Sequence, residues 1–190
     1  MVTKKLDFKH FELRHLKLNS KGGLVVDWFD LNQKNDLLSV DSDSIAHEDL
    51  TNKLKELKSI FAESLGLLKG WDLARENNNK NEEKLREAIR GWNEEVDRCN
   101  VSGFTLTDKG IKISGSLDCD GIKIGLASPL VKFENEDSDL GLKAKEILEV
   151  LTKEVWSFIY AGKRDADLFN QKEEKKSGLN NTEDKHLKAV

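Results

Sequence analysis

From Leu6 to Leu18 apolar and polar residues alternate with the two-residue period of a strand that buries one face. The phase slips near His10 and His15, as it does where a bulge inserts a residue. Lys21-Gly22-Gly23 predicts a turn and Leu24 to Leu31 a second strand. Leu24, Val26 and Trp28 share one face of that strand, while Phe29 and Leu31 share the other. With both faces partly apolar, the strand is expected to be covered on each side. A turn at Lys34-Asn35-Asp36 leads into a short third strand, Leu37 to Val40. From His47 the period lengthens. Leu50, Leu54, Leu57, Phe61 and Leu65 make the stripe of a helix packed on a sheet, with Glu48 and Asp49 in its first turn and Gly66 as its stop. A polar loop holding Trp71 and Asn77-Asn78-Asn79 follows. Leu85, Ile89, Trp92 and Val96 then predict a connecting helix over about 81–98.

The same order returns after Val101. Phe104 and Leu106 begin a strand, Asp108-Lys109-Gly110 turns, and Ile111, Ile113 and Leu117 alternate with Lys112, Ser114 and Ser116. Asp120-Gly121 is a strong hairpin signal. Ile122, Ile124 and Leu126 continue the meander, and Pro129 marks an edge or bend before 130–133. Ser138 suits an N-cap for a helix running to about Ala161, stopped by Gly162. The helix stripes Leu54-Leu57-Phe61-Leu65 and Leu148-Leu151-Val155-Ile159 have one spacing, 94 residues apart. The expected fold class is therefore α+β. Two βββα halves, about 6–66 and 101–162, are joined by a middle helix, and their antiparallel strands are covered by helices; a pseudo-twofold between the halves and coincidental reuse of a simple topology are both open readings. Residues 1–170 are read as one domain, and the charged stretch 171–190 as a disordered tail. Whether the halves share one sheet is open at this stage.

A length of 190 residues fits one domain with a substantial core. The net charge of −4 argues against phosphate gripping as the main task, so duplex DNA is not the default partner. Cys99 and Cys119 fit neither a metal-ligand spacing nor a disulfide framework. The first residues carry no apolar signal segment, and no stretch nears the roughly 20 apolar residues of a membrane span. The expectation is a soluble protein of the cytoplasm without membrane contact.

Searches for reactive motifs return little. No phosphate-binding loop, dinucleotide fingerprint or serine elbow is present. His10 and His15 lie an odd number of residues apart, which sets them on opposite faces unless a bulge intervenes. Asp41-x-Asp43 and Asp118-x-Asp120 look like fragments of a divalent-metal site, but turn and capping chemistry explains them better. Asp7-Phe8-Lys9 matches half of a nuclease signature and lacks the upstream acid. No catalytic residue, metal site or cofactor is expected. Of Trp28, Trp71, Trp92 and Trp156, core packing accounts best for Trp28 and Trp92. Trp71, after Gly70, is the candidate for ligand contact.

Val101-Ser102-Gly103-Phe104-Thr105-Leu106, the glycine-rich hairpin after it, and Val155-Trp156-Ser157-Phe158-Ile159-Tyr160-Ala161-Gly162-Lys163-Arg164 resemble a group of small proteins of tailed phages and prophages. Phe11-Glu12-Leu13-Arg14-His15-Leu16 and His47-Glu48-Asp49-Leu50 fit the same group. The resemblance implies a gene placed near replication and recombination functions, and carries no catalytic residue. It also implies a C-terminal segment similar to the peptide that binds the bacterial sliding clamp. Here that segment is Asp165, Ala166, Asp167, Leu168 and Phe169, with Asp165 in place of the anchoring glutamine and Ala166 in place of a larger apolar residue. Three functions follow as expectations. The first is a non-enzymatic accessory protein that binds a protein of DNA metabolism, such as the host sliding clamp. The second is a counter-defence protein that sequesters a nucleotide signal or blocks an immune effector. The third is a metal-dependent nuclease. The plainer expectation for Leu168 and Phe169 is that they fold back on the last helix.

Overall fold

The computed structural model describes residues 7–32, 36–134 and 139–162. The segment 165–169 and Ser138 lie outside them. A 3₁₀ turn, Phe8–His10, leads into β1, Phe11–Leu18; β2, Leu24–Asp30, and β3, Asp36–Ser42, follow as a meander. Helices α1, Glu48–Lys55, α2, Leu57–Ser64, α3, Lys69–Asn77, and α4, Glu82–Arg98, come next. A second meander is built from β4, Cys99–Thr107, β5, Gly110–Cys119, and β6, Ile122–Ala127. Then come the short β7, Val131–Lys132, and α5, Leu140–Tyr160. This is a mixed α+β fold on one antiparallel sheet.

The meanders share that sheet edge to edge. Its strand order is β3-β2-β1-β4-β5-β6, with β7 pairing β5 off the path. The seam is short: His15 pairs Thr105, Leu16 pairs Phe104 and Lys17 pairs Gly103. Leu16 and Phe104 have no exposed surface, so the seam lies at the centre of the core.

Alternation decides what goes inside. Leu24, Val26 and Trp28 on β2, Val101 and Phe104 on β4, and Ile111 and Ile113 on β5 point to the helices and are buried. The helices return Leu50, Leu54, Leu57, Ile60 and Phe61 from α1 and α2, and Leu148, Leu151, Val155 and Phe158 from α5. Each of these side chains contributes about 1.5–3 kcal/mol by leaving water. Phe11, Trp28 and Tyr160 form an aromatic cluster that ties the end of α5 to the sheet, with ring centroids 5.7–6.3 Å apart.

Four sequence expectations change. The first helix is two, interrupted at Glu56, whose N–H closes a shorter i→i−3 bond on Lys53. α2 ends where predicted: Gly66 at φ +76° lets Gly66 bond the Glu63 carbonyl and Leu67 bond that of Ala62. Residues 69–77, read as loop, are the helix α3. The packed stripe of α4 uses Ala88 and Gly91 between Leu85 and Trp92, while Ile89 points outward at 43% exposure. Small residues there admit α3, whose Trp71 indole rests on Gly91: a Cβ at that glycine would lie 2.4 Å from the ring. Finally, among the described residues β2 is covered on one face only. Phe29 is half-buried and Leu37 beside it is 59% exposed, because α1, α2 and α5 all pack on the opposite side.

Candidate functional site

The uncovered face of the sheet is shaped by two bulges. Leu13 pairs Trp28 and His15 pairs Asp27, leaving Arg14 as an extra residue on β1. Val101 pairs Gly115 and Gly103 pairs Ser114, leaving Ser102 as an extra residue on β4. A bulge re-aims the residue it inserts. Arg14 is thereby set among Glu12, Asp108 and Phe29. Its guanidinium bonds Glu12 at 2.6 Å and Asp108 at 2.8 Å and sits 4.9 Å from the Phe29 ring centroid. Its Nε is buried without a hydrogen-bond partner among the described residues. Ser102 Oγ donates to the Ser114 carbonyl oxygen and stitches the second bulge closed.

Around these bulges lie two shallow hollows that meet at His15. One, of about 490 Å³, runs from Leu37 on β3 past Phe29 and Arg14 to Thr105 and Asp108. The other, of about 560 Å³, runs from His15 and Lys17 past Gly103 and Ser114 to Gly125 and Ala127 on β6. Together they make a trough that crosses the strand path from β3 to β6. Five inter-strand spacings make it roughly 24 Å long.

Glycine and serine keep the second hollow low. At Gly103 the two central strands come so close that a Cβ would lie 2.2 Å from the Leu16 carbonyl oxygen. The polar lining is held in place. His15 Nδ1 is 3.0 Å from Thr105 Oγ1, and Ser39 Oγ donates to Asp27. Asp27 and Asp108 border the first hollow beside Arg14, and Lys17 borders the second. The floor is thus part apolar and part small and polar.

The other sequence candidates lie elsewhere. Trp71 sits on α3 against α4, not at the trough. Asp7 caps the first 3₁₀ turn by accepting from the Lys9 N–H, and that bond holds its carboxyl below the ordinary range. Asp118 accepts from the Gly121 N–H in a hairpin turn where Asp120 and Gly121 both have positive φ. Asp43 pairs with Lys21. Burial raises the Cys99 thiol pKa. Among the described residues no group of three or more His, Cys, Asp or Glu could hold a metal ion, and no helix is long and apolar enough to cross a membrane. Sequence reasoning missed Arg14, Phe29, Leu37 and Thr105 as site residues. The phase slip at His15 was the one local sign of where the face would be shaped. No family model, curated protein or solved structure matches the chain.

Proposed function

We propose that this chain is a binding protein whose recognition surface is the trough on the open face of its sheet. One observation carries the reading: two hollows joined at His15, walled by a doubly paired Arg14 and floored by Phe29, Gly103 and Ser114. A pre-formed surface of fixed polar groups spends little on ordering when it binds. The phage resemblance extends the proposal to an accessory role in DNA metabolism, with a protein partner such as the host sliding clamp and with Leu168 and Phe169 as a peptide anchor. A pseudo-twofold relating the two halves belongs to the same reading. Its support is a strand order that is the same from either end, with Leu16 and Phe104 paired at the middle.

The test is calorimetry of the full chain against the purified clamp. Three chains are compared: the native protein, a Leu168→Ala plus Phe169→Ala variant, and a His15→Ala plus Phe29→Ala variant. Loss of binding with the first pair alone places recognition in the tail. Loss with the second alone places it on the sheet. No binding by the native chain rejects the clamp, and pull-down with the trough variant as control then tests the surface itself.

The second reading, sequestration of a nucleotide signal, rests on Arg14 and the half-buried Phe29 ring sharing one hollow, where a phosphate would have to displace Glu12 or Asp108 from the guanidinium and a base would have to displace Arg14 from the ring. Such a pair can meet phosphate and base. Calorimetry with cyclic dinucleotides and ADP-ribose derivatives reads it directly, and absence of heat removes it. The nuclease reading rests on Asp7, and a plasmid-cleavage assay with Mg²⁺ or Mn²⁺ and an Asp7→Asn control decides it.

A further inference from the structure

The two outer edges of the sheet differ in chemistry. β3 carries exposed Asp36 and Asp41, and charges of one sign deter a like strand from pairing. β6 carries a single charge, Lys123. Its other side chains include the row Ile122, Ile124 and Leu126, on the face that β5 turns toward the helices. Ile122 is 69% exposed and Ile124 45%. An edge with an uncovered apolar row and little charge is a template for another strand.

The ladder also fixes which backbone groups face outward. The Ser128 N–H bonds the Ile113 carbonyl oxygen across β5 at 2.8 Å, one step beyond the Ser114–Ala127 pair. Bonding alternates along an antiparallel strand. Ile122, Ile124 and Leu126 therefore bond to β5, and Lys123, Gly125 and Ala127 turn their backbone groups to the open edge.

We propose that β6 is the seam of a homodimer, in which a second copy adds antiparallel through the same strand about a twofold axis at Ile124. The strand reads nearly the same in both directions from that residue. Ile122 of each copy meets Leu126 of the other, and the two Ile124 side chains meet at the axis in a non-hydrogen-bonded pair. Lys123 of each copy bonds opposite Gly125 of the other, which keeps the two ammonium groups apart. Sliding one allowed step in one direction sets Lys123 against Lys123. Sliding one step the other way leaves Ile122 facing Ser128. Charge and apolar matching thus select a single register. The dimer joins two sheets into one of twelve strands along the path and lays the two troughs end to end, whatever the trough binds.

Sedimentation of the full chain over a wide concentration range tests this, with a dimer of twice the 21.5 kDa chain as the expected species. Ile124→Lys and Gly125→Pro should each return it to monomer. A proline at 125 removes only an outward N–H, and among the described residues nothing lies within 4 Å of a Cβ there, so the β5 ladder survives. Circular dichroism confirms that each variant is folded. Ile124→Cys in a Cys119→Ser background should cross-link on oxidation, because a non-hydrogen-bonded pair sets Cα atoms about 4.5 Å apart, within disulfide reach. A chain that stays monomeric throughout, a dimer that survives both edge substitutions, or failure of the cross-link overturns the proposal.

Discussion

Gly103→Ala is the sharpest perturbation of this fold, because the two meanders meet through so little. Their ladder has three pairs, and Gly103 is in the last of them, opposite Lys17. An added Cβ would stand 2.2 Å from the Leu16 carbonyl oxygen and 2.8 Å from the Lys17 Cα. Ordinary contact begins near 3.4 Å, so the strands must separate by about an ångström. Both clashing atoms are backbone, so no rotamer change relieves them. Overpacking of this kind costs about 1–3 kcal/mol, occasionally more. Against it stands a gain of about 0.5–1 kcal/mol from replacing a strand glycine. Since the strain also loosens Leu16 and Phe104 at the centre of the core, the net loss is set at about 2 kcal/mol. For a chain of this size that is a fall in melting temperature of about 4–8 °C. Gly125→Ala is the internal control: no described atom lies within 4 Å of its Cβ, so it should be between neutral and about 1 kcal/mol more stable than the native chain. Urea denaturation followed by tryptophan fluorescence gives both numbers. If Gly103→Ala and Gly125→Ala prove equally mild, the close approach at the seam is not as described and the reasoning fails.

Gly91→Ala sets a helix-propensity gain of about 1 kcal/mol against displacement of the Trp71 indole. The expected sign is a net loss of about 1 kcal/mol with red-shifted Trp71 emission, while unchanged emission would show that the ring does not rest there. Burial on α2 raises the Glu63 carboxyl above its ordinary 4.5, with Lys143 pulling it back down. The folded chain therefore holds that proton more tightly than the unfolded one, so stability falls as pH rises through the interval above 4.5. Glu63→Gln should melt slightly higher at pH 7, and the difference should vanish in acid; a difference independent of pH would exclude the carboxyl as its source.

Much of this architecture was legible one residue at a time. Period-two alternation placed Leu24, Val26 and Trp28 on the buried face, and period 3.6 placed Leu54, Phe61, Leu148 and Val155 there too. Burial of apolar area is decided locally by which face a side chain shares. Asp120-Gly121 and Gly66 announced their positive φ values because few other residues tolerate them. The short helix α3 was hidden: its Lys69–Asn77 stretch lacks a continuous apolar stripe and is held through Trp71 by a glycine on a different helix. That Leu31 and Leu37 stay exposed was hidden too, because an apolar side chain on an open face looks the same in sequence as one awaiting a partner. Only the tertiary structure decided that both meanders join one sheet through Leu16 and Phe104, and that Arg14, Phe29 and Thr105 border one trough. Residues 14 and 108 are distant along the chain, and their meeting depends on strand order and register. Those are set by the sum of all core contacts rather than by any local pattern.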